Sequence, residues 1–365
     1  MAILVTGCAG YIGAIACKLL LEAGYQVIGI DDLSRSKPSH LVDGIEFYQA
    51  CISDEKILEE IVGKHNRHHA KRSFASDVDT QNVGTARNAR VAFGDNSDFQ
   101  NKSNIEAVMH FAAFIEVAES VEKPGLYKEN NYIKTTVLVD KLINLGIKNL
   151  IFSSTAAVYG LPIMDIALKE DSELMPINPY GENKLAVEKY LELKSQEEDF
   201  KYIALRYFNV AGAYGDIGEE HEPESHIIPI ALDALLGHRE IFKLFGTDYN
   251  TADGTAVRDY IHVVDLCKAH IAALDLFKSG KGINQAYNLG YNKGFSVLEI
   301  VRSIEKMAGQ AIPLEYSDRR AGDPDRLVAD NTKAIAAGFF KPERASIDRI
   351  IEDALEHRKK FHANR

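Results

Sequence analysis

Tyr180-Gly181-Glu182-Asn183-Lys184 places a phenol and an amine four residues apart, in a segment that begins a helical pattern after Asn178-Pro179. On a helix that spacing puts both side chains on one face. A phenol with a pKa near ~10 is a poor base at neutral pH. A neighbouring ammonium favours the phenolate and moves it toward a useful range for general acid/base work. Tyr-x-x-x-Lys also arises by chance as core packing plus surface charge, so the context decides. Upstream, Phe152-Ser153-Ser154-Thr155-Ala156-Ala157-Val158-Tyr159-Gly160 ends an apolar strand with a cluster of hydroxyls. In a doubly wound sheet such strand ends face the ligand crevice. Thr155 is expected to relay or orient a proton between a substrate and Tyr180, and Ser154 to cap a turn.

A second chemical feature lies at the first strand-to-helix turn, Thr6-Gly7-Cys8-Ala9-Gly10-Tyr11-Ile12-Gly13. Gly7 suits the tight turn, Gly10 lets backbone approach a pyrophosphate, and Gly13 permits close helix packing. The helix N-terminus, through Tyr11 and Ile12, supplies N–H donors and a positive dipole. The spacing is G-x-x-G-x-x-G, which alone is a weak signal. The second strand ends at Ile30-Asp31-Asp32, so a carboxylate follows Gly13 by 18 residues. It is placed to accept hydrogen bonds from adenosine ribose hydroxyls. A 2′-phosphate would face the charge of Asp31, which favours NAD over NADP; Asp32 serves either the cofactor or a turn. An oxidised nicotinamide ring would then join Lys184 in favouring the Tyr180 phenolate.

The elements that must hold these groups follow from the alternation of apolar strand-like runs and helical stretches through the first two thirds of the chain. Strands are expected at Ile3–Thr6, Gln26–Ile30, Ala107–Phe111, Asn149–Ser153 and Ile203–Arg206, with helices at Ile12–Glu22, Thr135–Leu145 and Gly181–Lys194. That rhythm predicts an α/β, Rossmann-like doubly wound parallel sheet. Residues 67–104 interrupt it, with no Leu, Ile or Met and no sustained period. They are expected to be an inserted surface excursion, or an assembly arm. After about residue 210 the rhythm loosens toward helices and loops, which suggests a second, smaller lobe rather than more sheet.

Length and composition bound the rest. The chain has 365 residues, 46% of them hydrophobic, enough for about two domains of roughly 150 residues and a sizeable core. Its 53 acidic against 42 basic residues leave a net charge of −11, and no Lys/Arg-rich run offers a nucleic-acid footprint. No apolar run approaches the ~18 residues of a membrane helix. The strand-like Ala2-Ile3-Leu4-Val5 leaves no room for a signal peptide, so no membrane association and a cytoplasmic location are expected. Four cysteines without CxxC spacing fit a reducing compartment. No metal is expected: His65, His68 and His69 lack a nearby Cys or an ordered carboxylate.

Taken in order, these motifs resemble the extended short-chain dehydrogenases/reductases, and within them the UDP-glucose 4-epimerase (UDP-galactose 4-epimerase) family. Further stretches carry the resemblance: HFAAFIEVAESVEKP from His110, RYFNVAGA from Arg206, GEEHEPESHIIPIAL from Gly218, FGTDYNTADGTAVRDYIHVVDL from Phe245, YNLG from Tyr287 and RRAGDP from Arg319. It covers nearly the whole chain apart from 67–104. It implies an NAD-binding Rossmann-like domain over 1–210 and a smaller C-terminal α/β lobe over 211–365. That lobe mainly binds the UDP-sugar and is interleaved with the first through a segment near 255–290.

The resemblance also implies an isomerase with tightly held NAD, a UDP-hexose substrate and no net redox change. It interconverts UDP-glucose and UDP-galactose through a 4-keto sugar that rotates and is reduced on its other face. Tyr180 would take the proton of the 4-hydroxyl, Thr155 would assist, and Lys184 would hold the cofactor ribose and lower the tyrosine pKa. Cofactor contacts carry over to Ile52, Phe111, Ala112, Asn130, Ser153 and Tyr207, beside Gly7, Gly10, Tyr11, Ile12, Gly13 and Asp31. Substrate contacts fall on Asn209, Ile227, Phe245, Arg258, Arg320 and Asp323, with Phe245 near uracil and the arginines suited to the pyrophosphate. A homodimer through the helix pair 135–145 and 181–194 is a family expectation.

Departures from the pattern are Cys51 where many members have Asp, Ile115 where some have Lys, and Thr155 for a common Ser. The position that gates N-acetylated sugars falls at Leu327, which is neither the large aromatic nor the small residue of clear cases. Epimerases of UDP-N-acetylhexosamine or UDP-pentose are therefore alternatives. A 4,6-dehydratase would need an Asp-Glu pair where this chain has Ala156-Ala157. A non-catalytic NAD-binding scaffold is opposed by the intact Thr155, Tyr180 and Lys184.

Overall fold

A computed structural model of the chain describes residues 1–76, 104–162, 166–320 and 322–363, with backbone alone for 67–76. The first half contains β1 (Ala2–Thr6), α1 (Tyr11–Glu22), β2 (Gln26–Asp31), β3 (Glu46–Gln49), α2 (Glu55–Ser76) and β4 (Ile105–His110). Then come α3 (Val117–Glu122), α4 (Pro124–Tyr127), α5 (Lys134–Asn144), β5 (Asn149–Thr155), α6 (Pro179–Glu197) and β6 (Lys201–Tyr207). The main sheet runs, from one edge to the other, as strand Gln285–Leu289, β6, β5, β4, β1, β2 and β3. All of its pairings are parallel.

The expected doubly wound sheet is thus the architecture. Every residue of β1 is buried, as required of a strand covered on both faces. Side chains alternate between the two layers. Ile3 and Val5 face Leu20, Leu266 and Phe277, whereas Ala2 and Leu4 face Leu138, Leu142, Val187 and Leu191. The strand order reverses between β1 and β4, and a crevice opens there at the carboxyl ends of the strands.

Two expectations need correction. The sheet does not end at β6, because strand Gln285–Leu289 pairs with β6 in register from Gln285↔Ile203 to Leu289↔Tyr207. Short strands also recur after residue 207, where Asn209–Ala211, Gly294–Ser296 and Arg326–Leu327 pair with Val257–His262, and Phe242–Phe245 pairs with Leu314–Ser317. Segments of two to six residues are too short for a period-two pattern to announce. The helices Ile227–Leu235, Val297–Ala308 and Ile347–Ala363 pack over these strands around a separate apolar cluster.

The break in rhythm begins later than residue 67, since α2 continues to Ser76. Residues 77–103 lie outside the described residues, as do the side chains of His68 and His69. The anchor points of the stretch are clear. Asn104 Nδ2 donates to the His65 carbonyl at 2.7 Å, and Asn104 N donates to Asn66 Oδ1 at 3.3 Å. The chain therefore returns beside the point it left.

Among the described residues no helix is long and apolar enough to cross a membrane, and all four cysteines are free. Joining Asn66 directly to Asn104 should remove 67–103 without disturbing the core. The shortened chain is expected to unfold cooperatively within a few degrees of the parent by circular dichroism. A shortened chain that cannot fold would show that the segment packs into the structure.

Candidate active site

The glycine turn is fixed by steric limits. Gly7 has φ +73, and its N–H donates to the Ile30 carbonyl at 2.8 Å, tying the turn to β2. A Cβ on Gly13 would lie 2.0 Å from the Gly7 carbonyl oxygen, so only glycine lets α1 start this close to the loop. At Gly10 a Cβ would meet only that same oxygen, at 3.4 Å. Gly10 is the N-cap of α1 and has no side chain to satisfy the exposed N–H groups. An anionic ligand is the natural partner for them.

Asp31 ends β2 beside this turn. Its Oδ2 accepts from Ala9 N at 3.0 Å and from Ser36 Oγ at 3.2 Å, and its Oδ1 accepts from Leu33 N at 2.9 Å. Burial pushes its pKa up, and these bonds pull it back. An ionised carboxylate has about four acceptor sites, so room remains for a ribose hydroxyl. Asp32 takes the turn role, accepting from Ser34 N at 2.9 Å. The turn's donors, its close packing and the adjacent buried carboxylate fit a dinucleotide.

Tyr180 and Lys184 lie in the first two turns of α6. Asn178 caps that helix, its Oδ1 accepting from Gly181 N at 2.8 Å, and Pro179 occupies the first position, where its missing N–H costs nothing. Thr155 ends β5 and lines the same cavity as Tyr180, near enough for its hydroxyl to lower the Tyr180 pKa. Its Oγ1 accepts from Ala157 N at 3.1 Å, so it caps the following turn. Ser154, expected to cap a turn, instead donates to the buried Glu188 carboxylate.

Burial raises the Tyr180 pKa to about 12, with the Thr155 hydroxyl lowering it and the Glu116 charge raising it. Burial drives the Lys184 ammonium down to about 7, with Glu188 opposing. Lys184 Nζ donates to the Ser153 carbonyl at 2.8 Å and sits 4.9 Å from the centre of the Phe152 ring. In the ligand-free protein burial sets the direction of the Tyr180 shift. The lysine is held toward β5.

One cavity of about 740 Å³ is lined by every residue expected at the site, from Gly7 to Asp323. On the cofactor side stand Ile52, Phe111, Ala112, Asn130, Ser153 and Tyr207. Tyr207 bonds Ser153 Oγ at 2.8 Å and also the buried His270. The Tyr11 hydroxyl turns away and donates to the Gly212 carbonyl at 2.7 Å, which leaves its backbone facing the cavity wall. On the other side are Asn209, Ile227, Phe245, Arg258, Arg320 and Asp323. Arg258 Nη2 donates to Asp323 Oδ1 at 3.1 Å, and the Arg320 guanidinium lies 4.0 Å from the centre of the Phe245 ring. This gives a cationic and aromatic wall suited to a nucleoside diphosphate.

Cys51 and Ile115 line the cavity too, with Cys51 Sγ 3.2 Å from Ser53 Oγ. Leu327 does not line it. It packs against the cluster of Ala156, Val158, Tyr159 and Phe208. Sequence reasoning missed Arg35, Lys37 and His40 on the Asp31 side, and the acidic and imidazole wall from Glu219 to His226. The stretch EEHEPESH from Glu219 contained that wall, but its side-chain chemistry has no fixed spacing that announces it.

A sequence model of the NAD dependent epimerase/dehydratase family matches residues 3–91 and 67–290. The UDP-glucose 4-epimerase of Halalkalibacterium halodurans is 40% identical over 356 residues, covering 97% of this chain and 94% of that protein. Among solved structures, the UDP-glucose 4-epimerase of Brucella ovis in complex with NAD is 36% identical with a TM-score of 0.83, covering 98% of each chain. That of Stenotrophomonas maltophila, with bound NAD and formylated UDP-arabinopyranose, is 30% identical with a TM-score of 0.85 over 100% of both chains.

The two glycines separate packing from ligand approach. Gly13→Ala should cost the ligand-free protein about 1–3 kcal/mol in urea unfolding and strip bound cofactor. Gly10→Ala should cost under about 1 kcal/mol. A Gly13→Ala protein with parental stability and cofactor content would contradict this geometry.

Proposed function

This chain belongs to the NAD dependent epimerase/dehydratase family, and we propose that it is the isomerase that interconverts UDP-glucose and UDP-galactose at C4. The observation that carries this is a single cavity lined together by the glycine turn, by Tyr180, Thr155 and Lys184, and by the Phe245–Arg320–Arg258 wall. NAD is the cofactor, and when bound it supplies the hydride acceptor and donor that C4 oxidation and re-reduction require.

The residues of the chain divide the remaining work. Tyr180 takes the proton of the 4-hydroxyl, and the Thr155 hydroxyl, in the same cavity wall, orients that proton path. Lys184, fixed through Ser153, orients the ribose side of the cofactor. Arg258, Arg320, Asn209, Ile227 and Asp323 grip the UDP, with Phe245 against uracil. The hexose is held less firmly, so the 4-keto sugar can turn and present its other face to reduction.

Membership of a homodimer belongs to the same reading. Ile133, at the end of a π-helical turn before α5, and Leu193 of α6 are large apolar side chains that remain exposed. Residence in the cytoplasm is consistent with four free cysteines. Sedimentation showing only monomer at micromolar concentration would remove the dimer.

Purified protein incubated without added NAD should convert UDP-galactose to UDP-glucose, with UDP-N-acetylgalactosamine and UDP-xylose run in parallel to rank acceptance. Tyr180→Phe should keep its cofactor and lose about 100-fold or more of turnover, the scale of a removed general base. Absence of turnover on all three substrates would sink the proposed activity, and full activity in Tyr180→Phe would remove that residue from the mechanism.

A further inference from the structure

The wall between residues 219 and 226 gathers more ligating chemistry than the epimerisation uses. Glu219 Oε1 contacts His221 Nδ1, and Glu219 Oε2 lies 3.8 Å from His226 Nδ1. Glu224 Oε1 lies 2.9 Å from the same His226 nitrogen. The two imidazole rings lie with centroids 5.5 Å apart, tilted by 47°. The ligating atoms of Glu219, His221 and His226 all lie within 4.8 Å of one another.

Glu224 adds an independent observation. Its side chain is 7% exposed, and its second oxygen, Oε2, is buried without a hydrogen-bond partner. The Arg358 guanidinium is 3.9 Å away, beyond hydrogen-bonding reach. A buried carboxylate oxygen with no donor is costly unless something cationic completes it.

We propose that Glu219, His221, Glu224 and His226 bind one divalent transition-metal ion of the zinc class in the wall of the substrate cavity. Two imidazoles and two carboxylates make a nitrogen and oxygen donor set that suits zinc or cobalt better than the all-oxygen preference of magnesium or calcium. The two carboxylate charges balance the ion. Ligand atoms around tetrahedral zinc stand about 3.3 Å apart, from bonds of about 2.0 Å. For Glu219, His221 and His226, closing from 4.8 Å to that spacing asks for side-chain rotation within one short loop, and Glu224 stands beside them at 2.9 Å from His226 Nδ1.

The loop is already braced from behind. The carbonyl of Glu219 accepts from Arg358 Nη1 at 2.9 Å. The neighbouring Glu220 is paired with His40 and His357, each at 3.2 Å, and with Lys37 at 3.3 Å. Second partners of this kind orient a ligand set. His226 is directly followed by Ile227, the first residue of the helix Ile227–Leu235, and both line the cavity. An ion here would stiffen the wall expected to receive the UDP.

The test is a titration of chelator-treated protein with Co²⁺, followed by visible absorption. One equivalent per chain should saturate a tetrahedral-type band, and Zn²⁺ should displace it. His221→Ala/His226→Ala should abolish the band, and Glu224→Gln, which keeps the shape of the loop, should weaken Co²⁺ binding at least tenfold. A band that persists in the histidine variant places the ion elsewhere and overturns the proposal, as does the absence of any saturable band in the parent. Should the double variant fail to fold, Glu224→Gln alone decides, and unchanged binding in it refutes the site.

Discussion

Glu188 sits on the buried side of α6, and its carboxylate accepts from Arg206 Nε at 3.0 Å, from Arg206 Nη2 at 2.6 Å and from the Ser154 hydroxyl. Arg206 belongs to β6 and Ser154 to β5, so one ion pair pins α6 to both strands beneath it. Arg206 is completed by the Tyr159 hydroxyl at 2.9 Å and the Glu170 carbonyl at 3.1 Å. A buried pair gains little net stability over apolar packing, but removing either partner strands the other charge. The arrangement therefore works as a register device. Tyr180 and Lys184 lie two turns and one turn before Glu188 on the same helix, and the pin sets how they meet the strand-end Thr155 and Ser153.

Once α6 is placed, desolvation controls the chemistry. The same burial moves the two titrating groups in opposite senses, the Tyr180 phenol up to about 12 and the Lys184 ammonium down to about 7. Without ligands, neither charged form is favoured. An oxidised nicotinamide held in the cavity would favour the phenolate, while Lys184 Nζ is held by the Ser153 carbonyl. Coupling proton removal to cofactor presence suits an enzyme that must not release a half-oxidised sugar.

Much of this was legible in the residues. The parallel sheet follows from apolar runs with helical stretches between them, and Gly7, Gly10 and Gly13 act at short sequence range, where type and spacing determine geometry. Tyr180, Lys184 and the β5 hydroxyls were legible for the same reason. Leu327 shows the limit, because the family resemblance places it near a sugar while it packs against the cluster of Phe208 and Ala156. The direction of Lys184 was hidden too, since it depends on a carbonyl 31 residues away. The strand at Gln285–Leu289 was not read from periodicity because its neighbours in the sheet are distant in sequence, and only the family resemblance pointed to a returning segment near 255–290; the Glu219–His226 wall was missed because pairing among its side chains is set by the loop.

The account rests on one claim, that C4 of a UDP-hexose is oxidised and re-reduced inside a cavity that keeps its own cofactor. UDP-galactose carrying deuterium at C4 tests it most directly, with the product examined by mass spectrometry and NMR after reaction in ordinary water. The account predicts UDP-glucose that retains deuterium at C4, because the hydrogen removed there returns to the same carbon without meeting solvent. Product with hydrogen from water at C4 would contradict it.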